Sequence, residues 1–153
     1  MRGPEQLHGV RIVATPAAID AATAVASGRE AIVIRIAADD AFMIGVTDVQ
    51  LDDPHAIVEP ESAFVGWWMT PDEVTAHVAR YVEWQLPQPQ AGHTQLAQGL
   101  VVGMPMKLWY SDPTDALVGS SAGAPQVLLL VSRGLAHEAN DRLFRTPSLD
   151  GPA

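Results

Sequence analysis

The sequence predicts an α+β domain with a largely antiparallel sheet, and three observations support this prediction. Short apolar or β-branched runs alternate with amphipathic helical segments. The runs that follow each helix are separated by short turns, as in hairpins, which favours antiparallel pairing. Of the 153 residues, 48% are hydrophobic and 18% are charged, enough apolar material for a packed interior. We therefore expect one domain over residues 1–145 and a flexible tail over 146–153.

The first half predicts the order strand, helix, strand, strand. A β-branched strand over 10–15 ends in a threonine-proline pair, which is typical of a helix start and opens an alanine-rich helix over 16–27. Two strands over 31–37 and 41–46 follow, joined by an acidic turn. The segment 47–61 is rich in carboxylates and contains two prolines, so we expect an acidic connector with a short strand.

The second half repeats this order in kind. A strand over 62–69 precedes Thr70, which can form a reciprocal cap with Glu73 at the start of a helix that ends before Pro87. An extended segment, a buried strand and a last helix follow, over 100–110, 126–131 and 132–144. The order predicts two pseudo-repeated β-α-β-β units plus a C-terminal helix, with all helices on one side of one shared sheet. A parallel doubly wound sheet is the alternative, which the hairpin spacing disfavours.

Charge and composition exclude several classes of partner. Acidic residues outnumber basic residues by 18 to 9, for a net charge of −9, and no basic stripe is present. This balance argues against nucleic acid and anionic membrane surfaces. No apolar run is long enough for a secretory signal or a membrane span. Cysteine is absent, which excludes disulfides and thiolate chemistry, so we expect a cytoplasmic protein.

Four tryptophans are the candidate interface or ligand residues. Trp67 and Trp68 are adjacent on a predicted strand and so face opposite sides, and a sheet covered on one side can bury only one of them. Trp84 and Trp109 add to this aromatic surface, and Trp109 is predicted opposite the core-facing side of its strand. The hypothesis is a surface for a partner protein or a second copy of the chain. Core packing and a small-molecule pocket are the alternatives.

His55 and Glu59 form a possible polar site, because they share one face of an extended connector. A metal is conceivable there, but an acidic connector is more often merely solvated, so we predict no metal. His137 lacks the second histidine of a metalloprotease helix, since Asp141 occupies that position, and a solvent-facing pair is expected. No nucleophile elbow, phosphate loop or dinucleotide fingerprint is present, so we assign no catalytic residue and no cofactor to this chain.

Three segments together resemble one family. REAIVIRIAADDAFMIG, FVGWWMTPDEVTAHVARYVEW and QVLLLVSRGLAHEANDRL are similar, in order, to the opening, central and closing parts of the gamma subunit of heterotetrameric sarcosine oxidase. That family is related to the folate-binding domain of aminomethyltransferases. The resemblance implies an accessory subunit without catalytic residues, which packs against a larger partner that carries flavin and folate.

We therefore expect a non-catalytic accessory domain, associated with an oxidoreductase by resemblance, that binds its partner through the aromatic sheet face. One alternative is a stand-alone small-ligand binder or enzyme with a pocket near the acidic connector, built from His55, Glu59 and the tryptophans. Another is a homo-oligomer without a ligand, in which the aromatic face is the contact between copies.

Overall fold

The computed structural model describes residues 1–27, 31–114 and 125–145, and it confirms the α+β class. The predicted tail over 146–153 lies outside the described residues, as does most of the predicted loop over 111–125. Within the described residues, no helix has the length and apolar character needed to cross a membrane.

A four-stranded antiparallel sheet comes from the first half of the chain. Its strand order is β3-β4-β2-β5, and the helix α1 connects β2 to β3 along the chain. The bounds are β2 (Gly9–Val13), α1 (Pro16–Ser27), β3 (Ile32–Ala37), β4 (Asp40–Ile44) and β5 (Ile57–Glu61).

A five-stranded antiparallel sheet comes from the second half together with the N-terminal strand. Its order is β1-β6-β9-β8-β7. The bounds are β1 (Arg2–Gln6), β6 (Phe64–Met69), α2 (Pro71–His77), β7 (Gln95–Val101), β8 (Met104–Tyr110), β9 (Val127–Ser132) and α3 (Ala136–Leu143). One 3-10 turn follows α2 and another precedes α3.

The two sheets pack face to face, and the helices lie on the two outer faces. Between the sheets, Trp68 and Trp109 belong to the same buried cluster as Ile34 and Phe42. On the outside, α1 covers the four-stranded sheet, while α2 and α3 cover the five-stranded sheet. The structure therefore differs from the predicted single sheet with helices on one side. The cause is visible in β9, whose residues 127–131 are buried on both faces, as expected of a strand inside a layered sandwich.

Local signals locate the helices better than the hairpins. The predicted cap at α2 is confirmed, because the Thr70 hydroxyl accepts a hydrogen bond from the Glu73 amide and the Glu73 carboxylate accepts one from the Thr70 amide. Bonds from the N-terminal amino group and then from the Thr70 amide lower the pKa of Glu73. The predicted extended segment over 100–110 is instead the β7–β8 hairpin, with a turn at Val102 and Gly103. Strand β1 is absent from the prediction. The two halves of the chain form separate sheets instead of one, and the predicted repeat of two β-α-β-β units is not confirmed.

Candidate ligand-binding cleft

A cleft of about 670 Å³ opens on the outer face of the four-stranded sheet, between α1 and the start of the acidic connector. We call it the α1 cleft. One wall is the alanine-rich side of α1, and the other wall is the segment 45–52, which leaves β4 and folds back over the helix. Its lining residues are Ala18, Ala21, Ala22, Val25, Ala26, Ala31, Gly45, Val46, Thr47, Asp48, Val49, Gln50 and Asp52.

Small side chains create this space. Six of the twelve residues of α1 are alanine, so the helix approaches the sheet closely where Ala18 and Ala22 are buried but cannot fill the volume beside it. Val25 is the largest side chain that α1 contributes to the cleft, and it is 59% exposed. Ligand sites usually have apolar walls, and an exposed apolar side chain in such a wall is available to contact a ligand.

The connector wall is held by a short polar network. Gly45 takes a φ of +83°, which turns the chain away from β4 at a position where a side chain would be strained. Further along, one oxygen of Asp53 accepts a bond from the Thr15 amide at 2.8 Å, and the other accepts one from the His55 amide, also at 2.8 Å. These bonds, first from His55 and then from Thr15, lower the pKa of Asp53. The carboxylate thus ties the connector to the start of α1.

The charged residues that line the cleft are acidic. Asp48 and Asp52 are exposed at its mouth, and none of the described residues that line it is basic. Asp48 accepts a bond from the Val49 amide at 2.8 Å, which holds its carboxylate on the connector side. The α1 cleft therefore combines apolar walls with a negative mouth.

Three of the four tryptophans that are predicted to form an interface or ligand surface are buried in the structure. Trp67 faces the helices α2 and α3, is 0% exposed and lies 5.5 Å from the ring of Phe144. Trp68 faces the other sheet and meets Trp109 edge to face at 6.3 Å. The expectation that one of the adjacent pair is uncovered is wrong, because each face of the five-stranded sheet has its own covering layer.

The indole nitrogens of these side chains differ in their hydrogen bonding. The Trp68 indole donates a bond to Glu5 on β1 at 2.7 Å, whereas the indole nitrogens of Trp67 and Trp109 have no hydrogen-bond partner among the described residues. Trp84 is half-buried elsewhere, over Gly99 on β7, where any side chain would meet its indole ring at 2.8 Å. The four residues do not form one surface.

His55 and Glu59 lie on different elements of the structure. His55 is exposed in a turn of the connector, and Glu59 lies on β5 opposite Arg11 of β2. Within the described ranges, no group of three histidine or acidic side chains is placed to hold a metal ion. The expected solvent-facing pair of His137 and Asp141 is confirmed at 3.5 Å, with His137 91% exposed.

His55, Glu59 and the tryptophans, from which a pocket near the acidic connector is predicted, do not line the α1 cleft. The signal that could have located the α1 cleft is the absence of any large side chain on one side of the 16–27 helix.

Comparisons with protein-family models, with curated proteins and with solved structures found no match.

Proposed function

We propose that this protein is a non-catalytic binding domain whose ligand occupies the α1 cleft. The observation that carries the proposal is the combination, in one concave surface of about 670 Å³, of apolar walls and a carboxylate mouth. Small-molecule sites usually have volumes of about 300–1,000 Å³, with mostly apolar walls and a few polar groups that orient the ligand.

The ligand class follows from this chemistry. An apolar body would cover Ala21 and Val25, which are exposed in the free protein. A positively charged group would lie beside Asp48 and Asp52 at the mouth. A carboxylate near the surface contributes roughly 1 kcal/mol to a cation in contact with it, or about fivefold in affinity. We infer a small organic ammonium compound with an apolar chain.

An accessory role beside a flavin- and folate-carrying partner, and a cytoplasmic location, remain proposals from the sequence. The buried positions of Trp67, Trp68 and Trp109 remove the observation that favoured docking through an aromatic face. Native mass spectrometry of the purified chain tests self-association: a discrete oligomer supports the homo-oligomer, and a monomer opposes it.

The cleft is tested by titration with three matched probes, hexyltrimethylammonium, hexanol and hexanoate. Alanine and valine methyl groups are followed by NMR, so that the binding position is read together with the affinity. We expect the ammonium probe to shift the methyl signals of Ala21 and Val25 and to bind at least fivefold more tightly than hexanoate. Equal affinity for all three probes, or shifts confined to other parts of the chain, would contradict the proposal.

The chain offers matched control variants on the same helix. Ala21→Leu places a larger side chain in the cleft and should abolish the shifts of the Val25 methyl signals, whereas Ala24→Leu makes the same change at an exposed position outside the cleft and should leave the Val25 shifts unchanged. Asp52→Asn should weaken binding of the ammonium probe alone by about fivefold. Asp72→Asn, on the opposite outer layer, makes the same charge change as a control.

A further inference from the structure

A second concave surface lies on the inner face of the five-stranded sheet, the face that packs against the four-stranded sheet. It has a volume of about 440 Å³, and we call it the inner groove. Its walls are mostly apolar, and Leu100 is 59% exposed there. The lining residues are Phe64, Gln98, Gly99, Leu100, Pro105, Met106, Lys107, Leu130 and Ser132.

The inner groove contains the only lysine of the sequence. Lys107 pairs with Gln98 across the β7–β8 hairpin and with Leu130 of β9. Its side chain is on the same face of β8 as Trp109, as the alternation along the strand predicts. Residue 107 is half-buried and lines the groove, where its amine is bonded to Gln98, an exposed residue.

The amine has an acceptor that orients it but carries no charge. The Lys107 ammonium donates to the side-chain oxygen of Gln98 at 2.6 Å, and among the described residues it forms no ion pair. Asp40, the carboxylate whose charge acts on Lys107, is engaged by Arg11, whose Nε donates to it at 3.0 Å. An amide oxygen directs the amine without stabilising its charged form as a carboxylate would.

The surroundings favour the neutral amine. Burial, followed by the positive charge of Arg11, lowers the pKa of Lys107, and the charge of Asp40 only partly opposes this effect. Desolvation and a neighbouring cation are the two means by which proteins prepare a lysine for nucleophilic attack on a carbonyl carbon.

We propose that Lys107 is a carbonyl-reactive amine that binds apolar aldehydes in the inner groove as imines. The neutral Nζ attacks the carbonyl carbon, and proton transfer from nitrogen to oxygen forms a carbinolamine. Loss of that hydroxyl and of the remaining N–H proton releases one water and forms the C=N bond. No oxidant or reductant takes part, and addition of water reverses the step. The apolar walls of the groove would cover the chain of the aldehyde.

The test is reductive trapping of the intact chain with hexanal and sodium cyanoborohydride at pH 7, followed by peptide mass mapping. The sequence carries only one other amine, the α-amino group of Met1, which is ion-paired to Glu73 and serves as an internal reference. N-acetyl-lysine amide in the same solution reports the rate of an ordinary lysine. We expect Lys107 to be alkylated faster than this compound, because its lowered pKa leaves more of the amine neutral at pH 7. Alkylation no faster than that of the free compound overturns the proposal.

Two variants, each replacing one glutamine by glutamate, distinguish an effect of the groove on the amine from a general effect of added negative charge. Gln98→Glu replaces the neutral acceptor with a carboxylate, holds Lys107 protonated and should lower its alkylation to the rate of the free compound. Gln85→Glu makes the same charge change at an exposed residue outside the groove and should leave the rate unchanged. Lys107→Arg should remove the adduct from this position. Equal rates for Gln98→Glu and Gln85→Glu would show that the groove does not control the amine and would overturn the proposal.

Discussion

The two outer layers of the molecule differ in how well they are filled. On the five-stranded sheet, the layer under α2 and α3 is closed by large side chains, including Trp67, Leu108 and Tyr110, each of them buried. On the four-stranded sheet, the layer under α1 is closed mainly by alanines, and the α1 cleft remains beside them. Both helical layers protect a sheet face, but only the second leaves room for a ligand.

This difference indicates that the volume of the helix side chains, more than the amphipathic pattern, decides whether the space between helix and sheet is filled. Alanine permits a close approach of helix to sheet, but it cannot fill the space where the sheet twists away from the helix. The expected consequence is an unequal distribution of stability: truncating a buried side chain of the filled layer should be costly, whereas truncating a side chain that faces the α1 cleft should cost little.

The largest effect is expected for Trp67→Ala. It removes a fully buried ring from the filled layer and should lower the free energy of unfolding by about 3–5 kcal/mol. Val25→Ala in the open layer should cost less than about 0.5 kcal/mol, since its side chain is mostly in water. Urea unfolding of both variants measures the difference. Similar losses in the two variants would show that the layers are equally packed.

The second prediction concerns Tyr110, whose buried hydroxyl has no hydrogen-bond partner among the described residues. Burial raises the pKa of Tyr110 to about 12. The native state therefore keeps the phenol proton after the unfolded chain has lost it, so stability falls as the pH rises above about 10. At pH 11 the loss should be about 1.4 kcal/mol relative to neutral pH.

Tyr110→Phe is the control for this pH dependence. The variant should lack the loss at pH 11, and at pH 7 it should be as stable as the natural chain or up to about 1 kcal/mol more stable, because an unpaired buried hydroxyl is removed. Parallel stability curves for the two proteins between pH 9 and pH 11 would mean that water or a ligand reaches this part of the filled layer.

The smallest effect compares the starts of the two helices. Thr70→Ala removes the side-chain half of the cap on α2 and should cost about 1 kcal/mol. Thr15→Ala should cost less, because its hydroxyl lies 3.4 Å from the Ala18 amide, at the limit of a hydrogen bond. Thermal unfolding resolves the two values, and a larger shift for Thr15→Ala would reverse the assignment of which helix is capped more firmly.

Elements with local signals were predictable. The threonine-proline start of α1 depends on two adjacent residues and the reciprocal cap of α2 on residues three positions apart, so both are predictable from the sequence. The β7–β8 hairpin was not found because its turn places Val102 at a φ of +53°, where asparagine or glycine is the usual signal. The Arg142 guanidinium donates to the Val102 carbonyl at 3.1 Å, a bond from a distant helix that no local pattern predicts.

The candidate site shows the same limit. The predicted pocket near the acidic connector consists of His55, Glu59 and the tryptophans, because only spacing along a predicted strand is visible in the sequence. The α1 cleft instead depends on how segment 45–52 folds back against the preceding helix, Pro16–Ser27.

Local sequence patterns are sufficient for the α+β class, the antiparallel pairing, the starts of α1 and α2 and the excess of negative charge, because these properties arise from composition and from neighbours within one or two turns. The last helix, predicted from residue 132, instead begins at Ala136 after a 3-10 turn, and Ser132 forms no side-chain cap. The tertiary structure decided the number of sheets, the burial of Trp67 and Trp68 on opposite faces, and the position of the α1 cleft. These features depend on which surfaces meet. A strand with two apolar faces can be satisfied only when a layer covers each of them, and only the packed layers reveal where the covering side chains are too small.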